Sequence, residues 1–183
     1  MWFRLHPVGL EYAGRSRSRI VNERVIRASP ERVFDLLVDD TAFSRWLEDF
    51  VAVRWTSDPP HGNGSTRDVE LRMLTAREQF LAWDRGARLT FHMTALTLPL
   101  ARRLMEDIRL EPTGDGATRV IWTVHYDPRT WVRPIHPLVR FVFGRLFRKS
   151  LGNLGRLAEE SSPVTRSREE QQTAPVSQVE PTG

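Results

Sequence analysis

Apolar residues recur at every second position through most of the middle of this chain. "FVAVRWT" sets Val51, Val53 and Trp55 against Ala52, Arg54 and Thr56, the period of a half-buried strand. "TRDVELRM" does the same with Val69, Leu71 and Met73 against Asp68, Glu70 and Arg72. "REQFLAW" and "RLTFHM" follow, parted by the turn "DRG". "RLMEDIRLE" puts Leu104, Glu106, Ile108 and Leu110 on one face, and "TRVIWTVHY" aligns Val120, Trp122, Val124 and Tyr126. Six strands in succession with short turns predict an antiparallel meander.

Helical spacing frames this block on both sides. "IVNERVIRA" (Ile20 to Ala28) reads as a strand whose facing is ambiguous, because Val25 and Ile26 are adjacent. In "ASPERVFDLLVDDTAFSRWL", Ser29 is a suitable N-cap, Pro30 fits the first helical position, and Glu31 suits the positive helix end. Val33, Phe34, Leu36, Leu37 and Val38 form one apolar face. Asp39-Asp40-Thr41 break that helix and lead into a second short one through Phe43, Trp46 and Leu47. After Pro134 and Pro137, Val139, Val142, Phe143, Leu146, Phe147, Leu151, Leu154 and Leu157 make the stripe of a long helix ending near Glu160. Phe141 falls among that helix's charges as an exception.

A sheet with one apolar face and one long amphipathic helix cover each other. If the sheet curves strongly, the helix cannot fill the concavity, and a cavity lined by Trp and Phe remains.

Motifs in this order resemble the START-like, or SRPBCC, superfamily, in particular its polyketide cyclase/dehydrase and lipid transport branch. The matching stretches are "ASPERVFDLLVDDTAFSRWL", "GNGSTRDVEL", "EQFLAWDRGARLTF", "LEPTGDGATRVIWTV" and "FRKSLGNLGRL", within about residues 20 to 158. The resemblance implies an α+β helix-grip fold of the Bet v 1 kind. Two short helices would support one end of a curved antiparallel sheet, and a long C-terminal helix would lie over a cavity. It implies function only broadly, because members carry lipids, bind hormones, cyclise polyketides or act as partners of other proteins.

Domain limits follow from composition. Residues 20–160 form the predicted ligand-binding domain. Residues 161–183 hold no aromatic residue, Leu or Ile, and are expected to be disordered. Residues 1–19 read as a solvated basic arm, with "RSRSR" (Arg15 to Arg19) as its cluster; the alternative for it is contact with phosphate or an acidic partner. The chain carries +4 with 27 basic residues, all Arg except Lys149. It has no cysteine, which excludes disulfides, thiol nucleophiles and Cys-ligated metals. No signal-like or membrane-spanning run is present, so the expected location is cytoplasmic.

Catalytic motifs are missing, and "GNGSTR" and "GDGATR" read as turns rather than phosphate loops. Of five histidines, His92 and His125 oppose the apolar face, His61 lies in a loop, and His6 and His136 stand apart. No pair has metal-ligand spacing, so neither metal nor cofactor is expected.

Two carboxylates share parity with the apolar face: Glu78 with Phe80 and Ala82, and Glu106 with Leu104 and Ile108. Inside a cavity they would have raised pKa values unless paired with a cation, and they are the candidates for proton transfer. The expected ligand contacts are Trp55, Glu78, Phe80, Phe91, Met93, Glu106, Ile108, Trp122, Tyr126, Phe143 and Phe147. The leading expectation is a binder of a hydrophobic small molecule or lipid, acting as carrier, sensor or accessory protein. A cyclase or dehydratase using Glu78 or Glu106 is one alternative. A peripheral protein meeting a membrane or acidic partner through its basic helix is another. Nucleic acid is not an expected partner, because the aromatics lie on the presumed inner face. Oligomeric state is left open.

Overall fold

The computed structural model describes residues 1–160. The expected disordered tail, 161–183, lies outside the described residues. Eight strands form one curved antiparallel sheet. They are β1 (Phe3–Arg4), β2 (Ser18–Ile26), β3 (Phe50–Trp55), β4 (Thr66–Leu71), β5 (Thr75–Asp84), β6 (Arg88–Leu96), β7 (Ala101–Pro112) and β8 (Thr118–Pro128). The order across the sheet is β2-β8-β7-β6-β5-β4-β3, so β3 to β8 are the predicted meander. Strand β1 pairs with the far end of β6, Phe3 facing Leu96.

Two short helices, α1 (Pro30–Val38) and α2 (Phe43–Trp46), separate β2 from β3. Ser29 caps α1 by accepting from Arg32 N at 3.3 Å, and Pro30 begins the helix where its missing N–H costs nothing. Trp46 Nε1 donates to Leu36 O at 3.1 Å and pins α2 beneath α1. A 3-10 turn, Thr130–Ile135, then leads into α3 (His136–Glu160), which crosses the sheet. α3 lies close to β2: a Cβ on Gly155 would meet Arg24 Nε at 2.9 Å. Ser150, fully buried, accepts from Glu48 N at 3.0 Å and donates to Leu146 O, tying α3 to the loop after α2.

The ambiguity in β2 resolves with Asn22 and Ile26 buried and Val21 and Val25 exposed. Two parity readings need correction. A register shift between Phe50 and Ala52 turns Val51 out to solvent, while Phe50 packs on the core. Met73 is exposed because β4 ends at Leu71; Leu74, past the turn, is buried instead.

The N-terminal segment is also corrected: residues 1–19 are not a solvated arm. Leu5 and Tyr12 are buried. Leu5 N donates to Thr94 O at 2.9 Å and His6 N to Arg102 O at 2.8 Å. A 3-10 turn, Leu10–Gly14, lies against β7 on the convex face. Ser16 Oγ bonds His125 Nδ1 at 2.9 Å, and Arg17 N donates to Asp127 Oδ1 at 3.2 Å. The segment covers outward-facing side chains that would otherwise be wet; Met105 and His125, both on that face, are buried.

Candidate functional site

α3 does not fill the concave face. Between it and the sheet lies a cavity with about 110 Å³ open to the centres of water molecules, where one water needs ~10–15 Å³. Its wall is almost wholly apolar. β5 to β8 supply Ala76, Phe91, Met93, Ile108, Trp122 and Val124; α3 supplies Val139, Phe143, Leu146 and Phe147. Trp122 sits at the middle of this wall, 5.0 Å from Phe147 and 6.1 Å from Trp46 between ring centroids.

Three charged side chains break the apolar wall: Arg67, Glu78 and Glu106. They are 3%, 5% and 6% exposed, so bulk water screens them little. Glu78 lies on β5 directly opposite Arg67 on β4. Arg67 Nε donates to Glu78 Oε2 at 2.7 Å. The guanidinium also sits 4.8 Å from the ring centres of Phe43 and Phe80, 5.5 Å from Trp55 and 5.7 Å from Phe91. An aromatic cage of this kind favours a desolvated cation through the negative faces of the rings. Arg67 Nη1 is buried and has no hydrogen-bond partner among the described residues.

Glu106 on β7 has a different partner. Trp122 Nε1 donates to its Oε2 at 2.8 Å. Burial first, and then the charge of Glu78, push the Glu106 carboxyl up to about 8. Burial also raises Glu78, against the pull of the Arg67 charge and hydrogen bond. One guanidinium serves two carboxylates, and it is bonded to Glu78. Glu78 therefore has the cation that favours its charge, and Glu106, which lacks one, is the carboxylic acid near neutral pH. In that state Glu106 has a proton to donate within an apolar wall.

The structure places nine of the eleven expected contact residues on the cavity wall: Glu78, Phe91, Met93, Glu106, Ile108, Trp122, Tyr126, Phe143 and Phe147. Trp55 and Phe80 are not among the residues that line the cavity. Both pack with the core, where the Arg67 guanidinium lies over them. Phe80 is packed between Trp83, Phe91 and Trp55. Trp55 stacks on His61 at 3.7 Å and donates from Nε1 to Asp40 Oδ2 at 2.7 Å. Alternation fixes a side chain's face but not its position along the groove.

Arg67 escaped the sequence reading, although it shares parity with Val69 and Leu71 in "TRDVEL". That parity was the available signal. His92 and His125 face away from the cavity, as their alternation predicts, and the N-terminal segment helps cover His125. His136 joins the wall indirectly, with Nε2 2.7 Å from the Tyr126 hydroxyl. Among the described residues no cluster of His, Asp or Glu has the form of a metal site. No helix among them is long and apolar enough to cross a membrane.

A curved sheet gripping a long helix over an apolar cavity defines the helix-grip, START-like class of protein. The chain belongs to the polyketide cyclase / dehydrase and lipid transport family, whose model matches residues 17–159. It is 29% identical over 153 residues to an uncharacterized protein of Mycobacterium tuberculosis strain H37Rv, covering 83% of this chain and 91% of that one. Its fold is similar to a START superfamily protein from Mycobacterium smegmatis, with a TM-score of 0.66 at 11% identity, over 79% of this chain and 99% of that one. It is also similar to the Zhui aromatase/cyclase from a Streptomyces species, with a TM-score of 0.63 at 13% identity, over 78% and 93% of the two chains.

Proposed function

We propose that this protein binds one mainly hydrophobic small molecule or lipid in the cavity, with a single oxygen-bearing group of the ligand held at Arg67 and Glu106. The observation that carries this reading is Arg67 Nη1: a buried charged donor on an apolar cavity wall, without a partner of its own. Such a donor is costly until an acceptor reaches it. A ketone, hydroxyl or carboxylate oxygen supplies one, while Glu106 in its acid form offers a second donor. The ligand's hydrocarbon body replaces water against Phe91, Met93, Trp122, Phe143 and Phe147. A carrier, sensor or accessory protein works by such binding alone. A cytoplasmic location goes with this reading.

Titration with three ligands of one hydrocarbon body, ending in a methyl, a ketone or a carboxylate, tests it. The oxygen-bearing ligands bind tighter by about tenfold or more, the range of a hydrogen bond to a charged group. Equal affinity for all three would remove the role of Arg67. Binding of none would remove the reading altogether.

A second reading is favoured by one observation, the raised pKa of Glu106. A carboxyl that titrates near working pH on an apolar cavity wall suits general acid–base catalysis. The reaction class would be cyclisation or dehydration of a ketone-bearing substrate. Glu106→Gln would then abolish turnover and leave binding intact, whereas in a carrier it leaves nothing to abolish.

A further inference from the structure

Beside the cavity, the surface changes character. Four large apolar side chains stand in solvent within eleven residues: Trp131 (52% exposed), Ile135 (44%), Leu138 (61%) and Phe141 (68%). Ile135, Leu138 and Phe141 recur every third residue from the end of the turn into the first part of α3, and Trp131 stands exposed at the start of that turn. They are not satellites of the core. Their chain neighbours Val132 and Val139 turn the other way and line the cavity. The row therefore borders the α3 end of the cavity wall.

Charge along this stretch of the chain has one sign. From Pro128 to Ala158 the chain has seven basic residues and no acidic one. Arg133, Arg140, Arg145 and Arg148 are exposed and make no ion pair among the described residues. A cleft on the same edge is lined by Arg17, Arg102, Arg103 and Arg133. Asp127 also lines it and is paired with Arg103 at 3.1 Å. Arg102 Nη2 donates to Thr130 Oγ1 at 2.9 Å, which draws this cation to the start of the turn that carries Trp131.

We propose that this face docks on an anionic phospholipid bilayer, with Trp131, Ile135, Leu138 and Phe141 entering the interface and the arginines lying among the phosphates. Apolar side chains in a row flanked by arginine match an interfacial helix. Trp is at home at the headgroup level. A second copy of the chain fits poorly, because a two-fold contact would bring the uncompensated arginines of both copies together. Docked this way, the protein turns the α3 end of its cavity toward the lipid. The docking face lies on the outer surface and is independent of the ligand that the cavity takes.

Co-sedimentation of the full chain with vesicles tests it. One set is phosphatidylcholine alone; the other carries about 30 mol% phosphatidylglycerol, enough to set up a negative surface potential. The protein binds the anionic vesicles, and binding weakens as added salt shortens the Debye length. Leu138→Ser with Phe141→Ser weakens binding about tenfold or more through lost apolar area. Arg133→Gln with Arg140→Gln also weakens it about tenfold, from roughly fivefold per basic residue less screening. All four positions are exposed, so thermal melts of the variants stay close to wild type. Absence of binding, or equal binding to both vesicle types, overturns the proposal. So does self-association that Phe141→Ser abolishes in a protein indifferent to vesicles, since a second copy would then cover the face.

Discussion

Arg67 Nε lies 2.7 Å from Glu78 Oε2, and both side chains are buried. An ion pair in that position has lost its hydration on both sides, so the two charges depend on each other. Arg67→Met leaves Glu78 buried and unpaired, with its charge near Glu106. That single change costs about 3–5 kcal/mol, the range for breaking a buried pair. Arg67→Met combined with Glu78→Met removes both charges and loses much less. Urea unfolding of the two variants checks this. A double variant as unstable as the single would show that the aromatic cage around the guanidinium matters more than the pair.

Glu106 gives stability a pH dependence. Its carboxyl holds a proton up to about 8 when folded and to about 4.5 when unfolded. Between these values the folded chain binds more protons than the unfolded one. Stability is therefore greatest below the unfolded value, falls as pH rises through the folded value, and levels off above it. The full loss is on the order of a few kcal/mol. Glu78 acts in the same direction, since burial raises it too. Glu106→Gln removes its share of the slope. Chemical denaturation at a series of pH values from about 5 to about 9 measures it. A slope unchanged in Glu106→Gln would assign the titration to another group.

Trp122 tunes that titration. Its indole N–H lowers the Glu106 pKa by favouring the carboxylate. Trp122→Phe keeps a ring against Phe147 and removes the donor. The fall in stability then runs to higher pH, and the protein loses about 1 kcal/mol for the hydrogen bond plus some packing. An unshifted pH profile would show that the 2.8 Å contact has no electrostatic role.

The N-terminal segment contributes to stability although no periodicity announces it. Tyr12 is buried against the convex face. Tyr12→Ala costs about 3 kcal/mol, the low end for removing a buried aromatic ring. A melting temperature within a degree or so of wild type would restore the segment to a solvated arm.

What sequence made legible follows the reach of side-chain period. Alternation in "RLMEDIRLE" and "REQFLAW" turned Glu106 and Glu78 inward, and the α3 stripe put Phe143 and Phe147 opposite them. The same rule held the signal for Arg67, but an arginine between Thr66 and Asp68 looks like one more surface charge. Its burial depends on rings brought from α2, β3, β5 and β6, which sit far apart in the chain. Alternation put Trp55 and Phe80 on the core face but did not show that they pack around Arg67, since their position along the groove has no period. The N-terminal cover was illegible for another reason. It rests on isolated residues, Leu5 and Tyr12, in backbone without a regular period.

Native mass spectrometry of the protein purified from its own host tests the central claim most directly, beside a Val124→Phe variant that fills the cavity wall. Wild type carries one small molecule per chain, rich in hydrocarbon and bearing oxygen; Val124→Phe, with its ring in the space the ligand needs, carries none. Wild type at the bare mass of the chain, or the same adduct in both proteins, would contradict a ligand held between the sheet and α3.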